Sequence, residues 1–105
     1  MTAAAMIASL LIELPKRFPG ARCWRQNSGV LRDHKGRPVK FGVPGCADIS
    51  GIWIDGRRLE CEIKAAGDKL SPAQINWAKM IRECHGIFVE CRDVEETLNE
   101  LENYR

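Results

Sequence analysis

Asp48, Glu62 and Lys64 are the residues of this chain whose types and spacing could support chemistry together. Asp48 ends the segment Pro44-Gly45-Cys46-Ala47-Asp48, and Glu62-Ile63-Lys64 lies on the far side of a predicted tight turn. Two carboxylates on adjacent strands can hold Mg²⁺ or Mn²⁺ while the cation also contacts a phosphate oxygen and a water. Alternation along a strand turns Glu62 and Lys64 to one face, so the lysine can lie beside the cation. The pattern therefore predicts metal-assisted chemistry on a phosphate.

Two predicted strands, 47–54 and 57–65, must bring the carboxylates together, and their apolar pattern can decide the register. A two-residue turn would pair Ile54 with Arg57 and set Asp48 opposite Ile63. A three-residue loop, Ile54-Asp55-Gly56, with a left-handed glycine and a bulge, pairs Trp53 with Arg57 and sets Asp48 opposite Glu62. The second register also collects one apolar face, made of Ile49, Trp53, Leu59, Cys61, Ile63 and Ala65. We therefore predict the three-residue loop.

The remaining segments predict the elements around this strand pair. Apolar residues at helical spacing from Met6 to Leu14 indicate an amphipathic helix that Pro15 and then Pro19-Gly20 stop, and 21–27 reads as a short strand. The polar stretch 28–42 is typical of a hairpin or an excursion turning near Lys35-Gly36. A second helix opens at Ser71, with Pro72 at its first position and Gln74 completing a capping box, and Gly86 ends it. A strand over 87–91 and a helix capped by Asp93 complete the order αβββαβα, an α/β chain.

Length and composition predict one domain spanning residues 1–105. With 45% apolar and 29% charged residues in 105, the core would be modest and a partner subunit would add to it. The five cysteines form no CxxC pair and, with His34 and His85, no zinc-ligand spacing, so we expect reduced thiols in a cytoplasmic protein. We expect no targeting or membrane-spanning segment.

Basic residues concentrate in the N-terminal part of the chain. Residues 1–40 carry eight Lys/Arg against two acids, whereas 41–105 carry eight against twelve. Such asymmetry suits a surface that meets a polyanion, and a merely solvated basic face is the alternative.

Taken in order, these residues resemble the PD-(D/E)XK nuclease superfamily, and within it the small stand-alone VRR-NUC domains of phages and bacteria. The resemblance covers roughly residues 24–98. Its motifs are Arg25-Gln26-Asn27-Ser28-Gly29, Gly42-x-Pro44-Gly45-x-x-Asp48-Ile49, Glu62-x-Lys64, Ser71-Pro72-x-Gln74 and the final strand-helix pair.

The resemblance implies a restriction-endonuclease-like core, with a mixed central sheet flanked by helices, that cleaves DNA and leaves 5′-phosphates. It implies that Asp48 and Glu62 bind Mg²⁺ or Mn²⁺ together with the Ile63 carbonyl, that Lys64 is catalytic, and that Gln74 points into the site. It further implies a homodimer in the manner of Holliday-junction resolvases, acting on four-way or branched DNA in a bacterial host, in a phage- or prophage-encoded setting. The expected DNA-binding residues are Arg25, Asn27, Arg32, Lys35, Arg37 and Lys40.

The chain departs from the family pattern in its first helix and before Asp48. Ala3-Ala4-Ala5 stands where many relatives carry a glutamate; Glu13, about two turns later, is the only acid there and is a doubtful site residue. Cys46 stands where the family pattern usually has another small or polar residue. The missing glutamate leaves open a catalytically inactive nucleic-acid-binding module. A third possibility is an interaction subunit whose basic arm contacts protein.

Several residues also have ordinary structural interpretations. Asp48 could be a turn residue, Gln74 only a helix cap, and Glu62 and Lys64 part of a solvated strand face with Arg58 and Glu60. The tryptophans, Trp24, Trp53 and Trp77, fit a core or a dimer interface better than a base-stacking surface.

Overall fold

The computed structural model describes residues 1–27 and 29–105, and these form a mixed α/β fold. The elements are α1 (Ala3–Arg17), β1 (Arg22–Arg25), β2 (Gly29–Arg32), β3 (Pro38–Phe41), β4 (Ile49–Ile52), β5 (Arg58–Ile63), α2 (Pro72–Glu83), β6 (Ile87–Cys91), α3 (Val94–Leu101) and a 3₁₀ turn (Glu102–Tyr104). Segment 28–42, predicted as a hairpin or an excursion, supplies two further strands to the predicted order. Ser28 lies outside the described residues, so the Arg25–Gly29 motif is described only in part.

A four-stranded mixed sheet forms the centre, in the order β1-β4-β5-β6. β1 with β4 and β4 with β5 are antiparallel, whereas β5 and β6 are parallel, with α2 as their crossover. The expected mixed sheet with flanking helices is therefore confirmed.

The β4–β5 register agrees with the three-residue loop. Ile49 pairs with Cys61 and Ile52 with Arg58, so the same register continues to Trp53 opposite Arg57. The Trp53 amide donates to the Arg57 carbonyl at 2.8 Å, the Gly56 amide donates to the Trp53 carbonyl at 2.9 Å, and Gly56 has φ +94°. Gly56 thus adopts the left-handed conformation that the apolar pattern required.

The two faces of the sheet carry different layers. Helices α1 and α3 cover one face, where their side chains pack in the main core with Ile49, Trp53, Leu59, Cys61 and Ile63. Helix α2 covers part of the other face through a smaller cluster of Ala47, Ala78, Ile81 and Phe88. The prediction that Ala65 joins the apolar face is wrong, because β5 ends at Ile63 and Ala65 lies exposed beyond it.

Strands β2 and β3 form a separate two-stranded hairpin, the basic arm, between β1 and β4. Its turn is held by Asp33, whose carboxylate accepts from the amides of Lys35 and Arg37, both at 2.9 Å. The Gly36 amide donates to the Asp33 carbonyl at 2.9 Å, which places the turn where the sequence predicts it.

Helix boundaries follow the capping residues, with one correction. Ser71 and Asp93 accept from the amides of Gln74 and Glu96, as predicted for α2 and α3. Pro15 does not stop α1, which continues to Arg17. All five cysteines are free. Among the described residues, no helix has the length and apolarity needed to cross a bilayer.

Candidate functional site

Asp48 and Glu62 lie side by side at one end of the sheet, on the face that α2 partly covers. The β4–β5 register, continued by one residue beyond Ile49, sets Asp48 opposite Glu62. Asp48 Oδ2 accepts a hydrogen bond from the Ile63 amide at 2.9 Å, which fixes the aspartate against β5. The structure therefore brings together the two carboxylates that the sequence analysis paired.

The segment before Asp48 is held by close packing against α2. Gly45 has φ +81°, and a Cβ there would overlap the carbonyl oxygen of Ala73 in the first turn of α2. Ala47 is fully buried in the smaller cluster, and the Gln26 amide donates to the Asp48 carbonyl at 2.8 Å. The Pro44-Gly45 motif thus lets the chain approach the helix closely enough to place Asp48.

Glu62 is buried, and among the described residues only one of its two carboxylate oxygens accepts a hydrogen bond. The residue is 4% exposed, its Oε1 accepts from Gln74 Nε2 at 2.9 Å, and Lys64 Nζ lies 3.9 Å from the same oxygen. Its Oε2 is buried without a hydrogen-bond partner among the described residues. Burial, reinforced by the charge of Asp48 and opposed by that of Lys64, raises the pKa of Glu62 to about 7.

Gln74 caps helix α2 and also contacts Glu62, and its catalytic role stays a prediction. Its Oε1 accepts from the Ser71 amide at 2.8 Å and its own amide donates to Ser71 Oγ at 3.2 Å, which completes the capping box. Its side-chain nitrogen, Nε2, meanwhile donates to Glu62 Oε1. One carboxamide therefore links the start of α2 to the carboxylate pair.

Lys64 stands immediately beyond β5, with its side chain 16% exposed. Its amide donates to the Cys91 carbonyl at 2.9 Å, which extends the β5–β6 pairing by one residue and keeps Lys64 beside the carboxylates. Ile63 between them turns its side chain into the main core. Its amide is used by Asp48, and the metal-binding role of its carbonyl stays a prediction.

The neighbouring acids do not enlarge the carboxylate pair. Glu90 follows Glu62 in the cross-strand row, but its carboxylate pairs with Arg92 at 3.2 Å. Glu13 is exposed, pairs with Lys16 at 3.9 Å, and belongs to α1, on the opposite face of the sheet from Glu62. No group of three His, Cys, Asp or Glu side chains suited to a metal occurs in the described part of the chain.

Sequence reasoning missed a second buried carboxylate, Glu60. It is fully buried, with Oε1 accepting from Trp77 Nε1 at 2.8 Å and Oε2 accepting from Ser50 Oγ. The Cys46 thiol lies 3.7 Å from the same Oε1, so Glu60 ties the segment before Asp48, β4 and α2 to β5. The alternative of a solvated strand face is therefore wrong for Glu60 and Glu62.

The expected DNA-binding residues are all exposed, but only four of the six belong to the basic arm. Arg32, Lys35, Arg37 and Lys40 belong to the basic arm, where Arg32 donates to the Gly36 carbonyl and Arg37 pairs with Asp33. Asn27 precedes the arm. Arg25 pairs with the core residue Ile49, so strand alternation puts it on the face opposite Asp48.

Trp53 is a core residue, as expected, and Trp77 is partly buried against the smaller cluster. Trp24 is not in the core: it is 40% exposed on the same face as Asp48, and the Arg58 guanidinium lies 5.6 Å from its ring centre.

Comparison of the chain with protein-family models, with curated proteins and with solved structures gave no match.

Proposed function

We propose that this protein is a metal-dependent DNA endonuclease that hydrolyses phosphodiester bonds. The observation that carries the proposal is the pairing of Asp48 with a buried Glu62, beside Lys64 and Gln74. Within the described part of the chain, Glu62 Oε2 has no hydrogen-bond partner. A buried carboxylate oxygen without a donor is energetically unfavourable until it takes up a proton, to which the raised pKa of Glu62 corresponds, or until a ligand completes it. A cation bound there would do so.

The residues present fit Mg²⁺ or Mn²⁺. Asp48, Glu62 and the Ile63 carbonyl would hold the ion, all through the hard oxygen ligands that these metals prefer. With two carboxylates in the pair, the remaining positions are left to water and to a phosphate of the substrate. When bound, such a cation supplies a lowered water pKa and neutralises charge at the phosphoryl group.

The protein's own groups would then position the reactants. Lys64 Nζ, 3.9 Å from Glu62 Oε1, can orient the attacking water and stabilise the negative charge that develops on the phosphoryl oxygens. The attacking water would lose a proton to solvent as its oxygen bonds to phosphorus. The bond to the 3′ oxygen would break, and that oxygen would take up a proton from solvent, which leaves a 5′-phosphate and a 3′-hydroxyl. Gln74 holds Glu62 in place through its Nε2 donor.

The basic arm supports DNA as the substrate. Its Arg32, Lys35, Arg37 and Lys40 are exposed and can contact backbone phosphates in a sequence-independent way. A homodimer would present two sites, and paired cuts suit four-way or branched DNA. We therefore propose branched DNA as the preferred substrate.

A second candidate is a catalytically inactive nucleic-acid-binding module or interaction subunit with the same fold. The observation favouring it is that Glu13, the single acid of α1, lies away from Asp48 and Glu62, which leaves the metal site with two carboxylates.

Cleavage of a synthetic four-way junction beside its linear duplex, with Mg²⁺, Mn²⁺ or EDTA, distinguishes these functions. We expect metal-dependent cleavage by the wild type and a loss of at least about 100-fold in Glu62→Ala and Lys64→Ala. Lys79→Ala is the matched control, because Lys79 is an exposed lysine of α2, and it should cleave normally. If the wild type and both site variants were equally inert yet bound DNA, the binding module would replace the nuclease.

A further inference from the structure

Half of the sheet face that carries Asp48 is open. Helix α2 packs over β5 and β6 through Ala78, Ile81 and Phe88. The β1–β4 half of the same face instead presents Trp24, 40% exposed, and Ile52, 48% exposed. This indole, exposed on the sheet beside the candidate active site, is available to a ligand, and large aromatic side chains contribute strongly to binding when they are covered.

Trp24 lies one cross-strand row away from the carboxylate pair. Trp24 pairs with Ser50 and Ser50 with Glu60, and the next row along the strands is that of Asp48 and Glu62. Rows on one face of a sheet lie about 7 Å apart. Trp24 Nε1 also donates to the side-chain Oε1 of Gln26 at 3.3 Å, and the backbone amide of Gln26 donates to the Asp48 carbonyl. Gln26 therefore connects the indole to Asp48 by hydrogen bonds.

Two arginines lie on this face near the indole. The Arg58 guanidinium lies 5.6 Å from the ring centre and 3.9 Å from Glu60 Oε2, and Arg22 occupies the row beyond Trp24 on β1. An aromatic ring flanked by arginines offers a stacking surface for a base and a counter-charge for its phosphate. The surface thus has charge complementarity to a nucleic acid.

We infer that Trp24 and Arg58 form a stacking subsite for one unpaired base of a DNA strand whose backbone runs to Asp48 and Glu62. An unpaired base is required, because bases inside a duplex are already stacked on one another and expose only their edges. The inference rests on DNA being the substrate, as proposed above, and it names the feature selected: a single-stranded or splayed nucleotide next to the cut, as branched DNA provides.

Binding without cleavage tests this subsite. Fluorescein-labelled dT15 and a blunt 15-bp duplex are titrated by anisotropy in EDTA, with the wild type, Trp24→Ala, Trp24→Phe and Ile12→Ala. Ile12→Ala is the matched control, since Ile12 is an exposed apolar residue on α1. Loss of one stacked base predicts about 5- to 150-fold weaker dT15 binding by Trp24→Ala. We expect Trp24→Phe to remain within about threefold of the wild type, since phenylalanine also stacks.

Fluorescence gives a readout that a structural role would not move. Binding of dT15 should quench tryptophan emission in the wild type, and that quenching should be absent in Trp24→Phe although it still binds. The same substitution keeps the test valid if Trp24→Ala does not fold.

The inference fails if Trp24→Ala binds dT15 as the wild type does, or loses duplex and single-strand affinity equally. It also fails if the substitution changes the oligomeric state in sedimentation while leaving DNA binding intact, because the indole would then be covered by a second copy of the chain. These measurements contain EDTA, so an inactive protein that still shows Trp24-dependent dT15 binding would refute the nuclease proposal and keep the subsite.

Discussion

Glu62→Gln should stabilise the metal-free protein at pH 8 while abolishing cleavage. Burial and the Asp48 carboxylate raise the pKa of Glu62 from 4.5 to about 7. The unfolded chain therefore ionises Glu62 more readily than the folded one, and stability falls as pH rises from about 4.5 to about 7. At 1.36 kcal/mol for each pH unit, the difference is about 3 kcal/mol at pH 8 and under about 1 kcal/mol at pH 5.

The structure shows why glutamine can take this position. Its carbonyl oxygen can keep the hydrogen bond from Gln74. Its side-chain nitrogen replaces Oε2, for which residues 1–27 and 29–105 supply no hydrogen-bond partner, and can donate toward Asp48. The lost attraction to Lys64 is the opposing effect. We therefore expect a gain of about 2 to 3 kcal/mol at pH 8.

Urea unfolding in EDTA at pH 5 and pH 8 measures this gain, with Glu83→Gln as the control because Glu83 is an exposed glutamate of α2. At pH 8, added Mg²⁺ should make the wild type more stable than Glu62→Gln, because only the wild type gains stability by binding the ion. Equal stability of Glu62→Gln and wild type at both pH values, or a gain as large at pH 5 as at pH 8, would refute the reasoning.

Three other changes test the loop before Asp48, the metal affinity and the basic arm. Gly45→Ala should lower the free energy of unfolding by about 2 to 4 kcal/mol and slow cleavage, because its methyl group would overlap α2. Gly36→Ala should lower it by only about 1 kcal/mol, because Gly36 also has a positive φ, +78°, but has open space around it. Urea unfolding of both variants separates the effect of overlap from that of backbone strain. Mg²⁺ affinity measured by calorimetry should rise about tenfold per pH unit below pH 7 and level off above it, because Glu62 must lose its proton to bind the ion. An affinity that does not change between pH 6 and pH 8 would show that Glu62 is not the titrating group. Arg32→Ala and Lys40→Ala should each reduce the slope of log K against log salt for duplex DNA by about 1, and unchanged slopes would remove these residues from the phosphate contacts.

The strand pair and its carboxylates could be predicted because local rules agreed. Only one hairpin register kept Ile49, Trp53 and Cys61 on one face, and that register also paired Asp48 with Glu62. The capping box of α2 was readable for the same reason, since Ser71, Pro72 and Gln74 are consecutive or nearly so.

The burial of Glu60 and the exposure of Trp24 could not be read from the sequence. Both depend on how far across the sheet α2 extends. It covers β5 and β6, where Trp77 reaches Glu60, and leaves β1 open, so a charged residue lies inside and a tryptophan outside. Strand alternation gives the face of a residue but not which part of that face a distant helix covers.

The carboxamide of Gln74 couples the folding of the first turn of α2 to the position of the Glu62 carboxylate. Helix ends fray at a small fraction of the free energy of global unfolding. When the first turn of α2 opens, the Ser71–Gln74 capping box is lost, and with it the donor that holds Glu62 Oε1. Amide exchange at Gln74 and Ile75 would therefore report the fraction of molecules whose carboxylate pair is held in place.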